Sequence, residues 1–133
     1  MATMQLTAKD VMQFPVKSIS SDATVWEATE KLRAAGITGA PVVDGKGKPL
    51  GVFTLNDLAN YVLSTRGDFK VTDFMTRGVV TVAPTAGVYD IVRAMRRHQV
   101  HRVFVASENG DILGIVTPLD VMGAEEPAAL AKR

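Results

Sequence analysis

Apolar residues at helical spacing, Val25, Ala28, Leu32 and Ala35, predict a helix over Val25–Ala35. Thr24 and Glu27 in front of it form a Thr-x-x-Glu capping box, which satisfies free amides of the first turn. Val88, Ile91, Val92 and Met95 predict a second helix over Val88–Gln99 in the same way. Shorter apolar runs broken by turn formers predict two β-hairpins. Ala40–Val43, the turn DGKGKP and Leu50–Thr54 make the first; Arg102–Ala106, SENGD and Ile112–Thr117 make the second. A helix closes each hairpin: Leu55–Leu63, and Pro118–Met122 with its proline in the first turn, where no N–H is needed. Val16–Ile19 and Val79–Val82 read as brief strands, and Ala8–Met12 and Val71–Met75 as short helical turns.

The elements occur twice because the chain repeats itself. Asp10–Asp57 slides by 63 residues onto Asp73–Asp120 without a gap, and about 12 of the 48 pairs are identical. A repeat of this length is one supersecondary unit used twice. Each copy ends in Gly-x-x-Thr-x-x-Asp, as GVFTLND and GIVTPLD. The expected fold class is α/β (α+β), two β-α-β-β-α units over residues 8–64 and 71–123. A linker covers 65–70, within the stretch Ser64–Lys70, and tails cover 1–7 and 124–133. One copy of roughly 60 residues is marginal alone. A three-stranded sheet with helices on one face leaves its other face apolar. The two copies are therefore expected to pack sheet to sheet with pseudo-twofold symmetry.

Composition narrows the class. The 133 residues are 47% hydrophobic, enough for a core and against global disorder. A net charge of +1 gives no strongly basic face for nucleic acid. The absence of cysteine excludes disulfides, thiolate metal sites and a cysteine nucleophile. No apolar run approaches a membrane span, and MATMQLTAKD lacks the pattern of a signal peptide. A cytoplasmic protein is expected, and the starting Met favours a complete small chain.

Few residues could carry chemistry. Thr54 and Asp57, like Thr117 and Asp120, fall where a strand ends and a helix begins. A hydroxyl there caps the helix or shares the free N–H groups with a phosphate. The Asp reads as a plain capping-box partner, or as the acceptor for paired ribose hydroxyls. Arg96 and Arg97 fit the negative end of a helix dipole. His101 and Arg102 read as solvated charges or as a phosphate-binding pair, since the guanidinium fork donates two parallel bonds. His98 and His101 are two ligands without a third, a poor metal site, so no metal is assigned. Trp26 and Tyr89, at aligned positions, cover an apolar edge or an interface. No nucleophile elbow or triad order is present, and the hairpin glycines do not form a P-loop. The chain is expected not to be an enzyme. Nucleic-acid binding would rest on Arg93, Arg96, Arg97 and Arg102 and is argued against by the near-neutral charge.

The chain resembles a tandem cystathionine-β-synthase (CBS) domain pair, a Bateman module. The resemblance rests on DVM and DFM opening the copies, on GAPVVD-GKGKPLGVFTLND, and on VHRVFVASENGDILGIVTPLD, and covers roughly residues 8–123. It implies a non-catalytic regulatory role, sensing energy or metabolite state by binding AMP, ADP, ATP, S-adenosylmethionine or dinucleotides, with no required cofactor. By resemblance the ribose-binding Asp falls on Asp57 and Asp120, and its Thr on Thr54 and Thr117. Each cleft is completed by the other copy. One cleft then joins Thr54, Asn56 and Asp57 with Val79, Val80, His101 and Arg102; the other joins Thr117 and Asp120 with Val16, Lys17 and Thr38. The first has the phosphate-bearing cations. The resemblance further implies a homodimer, a four-repeat disc, acting in trans on an effector protein. The alternative is a structural dimerisation or interaction module with vestigial clefts.

Overall fold

The computed structural model describes residues 6–64 and 67–124. In chain order the elements are helix α1 (Ala8–Val11), β1 (Ile19–Ser20), α2 (Val25–Ala35), β2 (Gly39–Val43), β3 (Pro49–Thr54), α3 (Leu55–Leu63), a 3-10 turn (Val71–Asp73), β4 (Thr76–Arg77), β5 (Thr81–Val82), α4 (Val88–His98), β6 (Val103–Ala106), β7 (Ile112–Val116) and α5 (Pro118–Ala124). The fold is mixed α+β with two sheets. The tail from residue 125 onwards and part of the expected linker lie outside the described residues.

The chain forms two compact units that do not follow the sequence repeat. One is Lys17–Val79; the other joins the stretch up to Val16 with the chain from Val80 onwards. In the first unit, β1 runs parallel to β2, and β3 and β4 continue antiparallel in the order β1-β2-β3-β4. The short β4, which no hydrophobic alternation marks, makes a four-stranded sheet where three strands were expected. α2 buries Val25, Ala28 and Leu32 against Ile19, Val42, Phe53 and Val71. Its N-terminus carries the expected capping box, with Glu27 N donating to Thr24 Oγ1 at 3.1 Å and Thr24 N to Glu27 Oε1 at 3.0 Å. Gly36 ends it in the left-handed region, φ 65°. Tyr61, Phe69 and Phe74 stack edge to face, with centroids 5.2 to 6.3 Å apart, which holds the returning chain to α3.

The other unit repeats the plan with the three-stranded order β5-β6-β7, again parallel then antiparallel. Ala8, Val88, Ile91, Met95, Val103 and Val116 form its core. α4 stops at His98, one residue short of the expected end, because Gln99 takes the left-handed conformation at φ 54°. β6 starts at Val103, so Arg102 precedes the strand instead of opening it.

The opening segment of each copy docks on the body of the other. Ala8 N donates to Ala86 O, and Val71 N to Ala23 O, both at 2.8 Å. These are the same bond shifted by 63 residues. Gln13 N donates to Ile115 O at 2.9 Å and Ile115 N to Gln13 O at 3.0 Å, in the place where β4 pairs Thr76 with Val52.

Candidate functional site

Each unit contains one capped carboxylate at the start of its last helix. At α3, Thr54 N and Oγ1 donate to Asp57 Oδ2 at 2.9 and 3.1 Å, and Asp57 N donates back to Thr54 Oγ1 at 3.3 Å. At α5, Thr117 N and Oγ1 donate to Asp120 Oδ2 at 2.8 and 3.0 Å. The local reason is the capping geometry of Thr-x-x-Asp: an extended Thr closes the strand, and the third helical residue reaches back to its amide. One oxygen of each Asp is thereby committed to the helix.

The second oxygen is met by a residue that the sequence reading missed. Thr76 Oγ1 donates to Asp57 Oδ1 at 3.0 Å, and Gln13 Nε2 donates to Asp120 Oδ1 at 2.6 Å. Gln13 and Thr76 are aligned by the 63-residue offset and each follows the repeated Met, Met12 or Met75. The signal available in the sequence was the glycine of Gly-x-x-Thr-x-x-Asp. A glycine inside a strand marks close approach of another backbone or side chain. A Cβ on Gly51 would collide with Thr76 O and lie 3.0 Å from Met75 Sδ; one on Gly114 would collide with the Met12 side chain.

The other expected residues divide between the units. Thr38, Asn56 and Lys17 belong to the unit of Asp57, and all three are exposed. Thr38 O accepts the Leu55 N–H at 3.1 Å, at the first turn of α3. Val79 closes this unit, half-buried. Val16, Val80, His101 and Arg102 belong to the unit of Asp120. Val80 O accepts the Phe104 N–H at 2.9 Å, so Val80 leads β5 along β6. β6 and β7 pair Val103 with Val116, and one step back along this antiparallel register lies Arg102, across from Thr117. A groove of about 800 Å³ runs beside it, lined by Val92, Met95, Arg96, His101, Pro118 and Met122 among others. Asp57 is buried, 4% exposed, whereas Asp120 is half-buried. Among the described residues no group of three His, Asp or Glu could hold a metal ion, and no helix is long and apolar enough to cross a membrane.

The two copies that carry the duplicated Gly-x-x-Thr-x-x-Asp cap, residues 8–64 and 71–126, each match the CBS domain. The chain belongs to the CBS domain family. Among solved structures this CBS pair is similar to the CBS domain pair of protein MJ0100, in complex with 5'-methylthioadenosine and S-adenosyl-L-methionine. The TM-score is 0.82 at 25% identity, over 98% of this chain and 100% of that one. It is also similar to CBSX2 in complex with AMP, with TM-score 0.79 at 26% identity, over 96% and 98% of the two chains. Inosine-5'-monophosphate dehydrogenase of Korarchaeum cryptofilum is 33% identical over 110 residues, which are 83% of this CBS pair and 22% of that enzyme. The chain spans about a third or less of the first curated relatives it matches, 35% and 22% of their lengths.

Proposed function

We propose that this CBS pair is a non-catalytic, cytoplasmic regulatory module that binds an adenosyl nucleotide and passes the bound state to an effector protein. The observation that carries the reading is the pair of capped carboxylates. Each turns Oδ1 away from its cap, with acceptor capacity for a ribose hydroxyl. The ligands named for the two similar structures, AMP, 5'-methylthioadenosine and S-adenosylmethionine, share that ribose. AMP, ADP or ATP is the ligand class proposed, with His101 and Arg102 receiving the phosphates. The register argues for Arg102 serving Asp120 in its own unit, whereas the family resemblance pairs it with Asp57. Arg102→Ala measured in Asp57→Ala and Asp120→Ala backgrounds decides between them: the cation adds nothing further where its own carboxylate is already gone.

The test of the function is a thermal-shift screen with AMP, ADP, ATP, S-adenosylmethionine and NAD. A ligand at about 100 times its dissociation constant adds roughly 2.7 kcal/mol to the folded state, on the order of 10 °C for a chain of this size. A shift lost in Asp57→Ala or Asp120→Ala supports the reading; no shift with any of them rejects it. The second reading is an interaction module that needs no ligand. It is favoured by exposed apolar side chains on the helices, Trp26 (70%), Leu63 (85%) and Leu119 (81%). Such faces suit a homodimer with an isologous interface, and under this reading both Asp variants keep their partner.

A further inference from the structure

Count the acceptor sites on Asp120. An ionised carboxylate offers about four. Oδ2 accepts two bonds from Thr117, and Oδ1 accepts one from Gln13. About one site remains. A ribose diol that donates both hydroxyls needs two, so one resident donor has to leave. The Thr117 donors belong to the cap of α5. The backbone of Gln13 is pinned by its two bonds with Ile115, but its side chain is exposed, so its amide can exchange the bond to Asp120 for one to water.

We propose that Gln13 is a specificity residue: its amide competes with one ribose hydroxyl for Asp120 Oδ1 and thereby lowers the advantage of a ribose over a deoxyribose there. The role presupposes an adenosyl ligand at Asp120, as argued above. The aligned Thr76 acts differently on Asp57. A hydroxyl both donates and accepts, so Thr76 can turn and accept a hydroxyl of the ribose while staying in place. The Nε2 of Gln13 only donates, and its bond to a charged acceptor is short, at 2.6 Å. The two copies thus carry the same carboxylate with unequal access for a diol.

The test is calorimetric titration with AMP and with 2'-deoxyadenosine 5'-monophosphate, in an Asp57→Asn background that leaves Asp120 as the site measured. Gln13→Ala and Gln13→Thr are compared with the parent. The deoxynucleotide needs only the open acceptor site, so its affinity stays the same. AMP tightens by about tenfold in both variants, the value of one charge-assisted bond no longer broken. A role confined to folding would move both nucleotides alike. Unchanged AMP affinity, or equal changes for AMP and the deoxynucleotide, overturns the role of Gln13 while the nucleotide reading stands. No binding of either nucleotide by the parent or by Gln13→Ala, and none by the protein with Asp57 intact, rejects the nucleotide reading and this role together.

Discussion

Met12 fills the space that a side chain on Gly114 would need: a Cβ there would lie 2.7 Å from Met12 Cγ and 2.9 Å from its Cβ. Gly51 stands in the same relation to Met75 and Thr76, but the nearest obstacle is the Thr76 backbone carbonyl. That carbonyl belongs to β4, whose Arg77 pairs with Gly51. The Met12 Sδ and Cγ can rotate away, leaving only its Cβ to give slightly, and a paired carbonyl cannot. Gly51→Ala is therefore expected to cost about 3 kcal/mol and Gly114→Ala about 1 kcal/mol, the upper and lower ends of the overpacking range. Urea denaturation checks the order. In a Met12→Ala background the Gly114→Ala cost should shrink, since the pair is coupled through one contact.

The caps make a second comparison. Thr54→Ala removes a hydroxyl that accepts the Asp57 N–H, a side-chain cap worth about 1 kcal/mol, and Thr117→Ala removes the hydroxyl that donates to Asp120, worth about 1 kcal/mol. Thr54→Ala also leaves Asp57, 4% exposed, with one donor fewer in a place water does not readily reach. Asp120 is half-buried, and water can replace the lost hydroxyl. The expected outcome is a larger loss for Thr54→Ala, about 2 kcal/mol, seen as a lower denaturation midpoint at unchanged slope.

What was legible in the sequence was local. The two long helices, both hairpins and the Thr24–Glu27 box depend on residues a few positions apart, and they stand where the pattern puts them. Thr54 and Asp57 were legible as a cap for the same reason. The donors to the second carboxylate oxygens were not, because Gln13 lies 107 residues from Asp120 and Thr76 lies 19 from Asp57. Only the fold brings them together. The exchange of opening segments was invisible too: a 63-residue period says that two units exist, not which opening segment joins which body. β4 was missed because Thr76 and Arg77 are polar and the strand is two residues long. The end of α4 was readable in retrospect. Gly36 and Gln99 are aligned, and both adopt positive φ, so the repeat itself marked the C-cap.

The core of the Lys17–Val79 unit supplies a further test. Phe53 is fully buried among Ile19, Val25, Val42 and Val71. Phe53→Ala is expected to cost about 3–5 kcal/mol through lost burial and the cavity left behind. Phe53→Leu keeps most of the volume and should cost less than half of that. A loss below about 1 kcal/mol for Phe53→Ala would mean that the packing around this ring is looser than described.

Acid should destabilise the fold through three carboxylates, Asp10 and Glu27 exposed and Asp44 half-buried. Backbone N–H groups hold each below its ordinary range: Thr7 for Asp10, Thr24 for Glu27, and Lys48 then Lys46 for Asp44. A carboxyl with a depressed value binds fewer protons folded than unfolded, so stability rises with pH across the interval between the two values. The contribution is complete above the unfolded values, about 4, and is lost as pH falls through the lower folded ones. Denaturation midpoints should therefore decline below about pH 4. Glu27→Gln separates the cap from its charge: the amide oxygen can still accept the Thr24 N–H but no longer titrates. Its acid slope should be shallower than that of the parent. An identical slope would remove Glu27 from the account and leave Asp10 and Asp44 to carry the acid response.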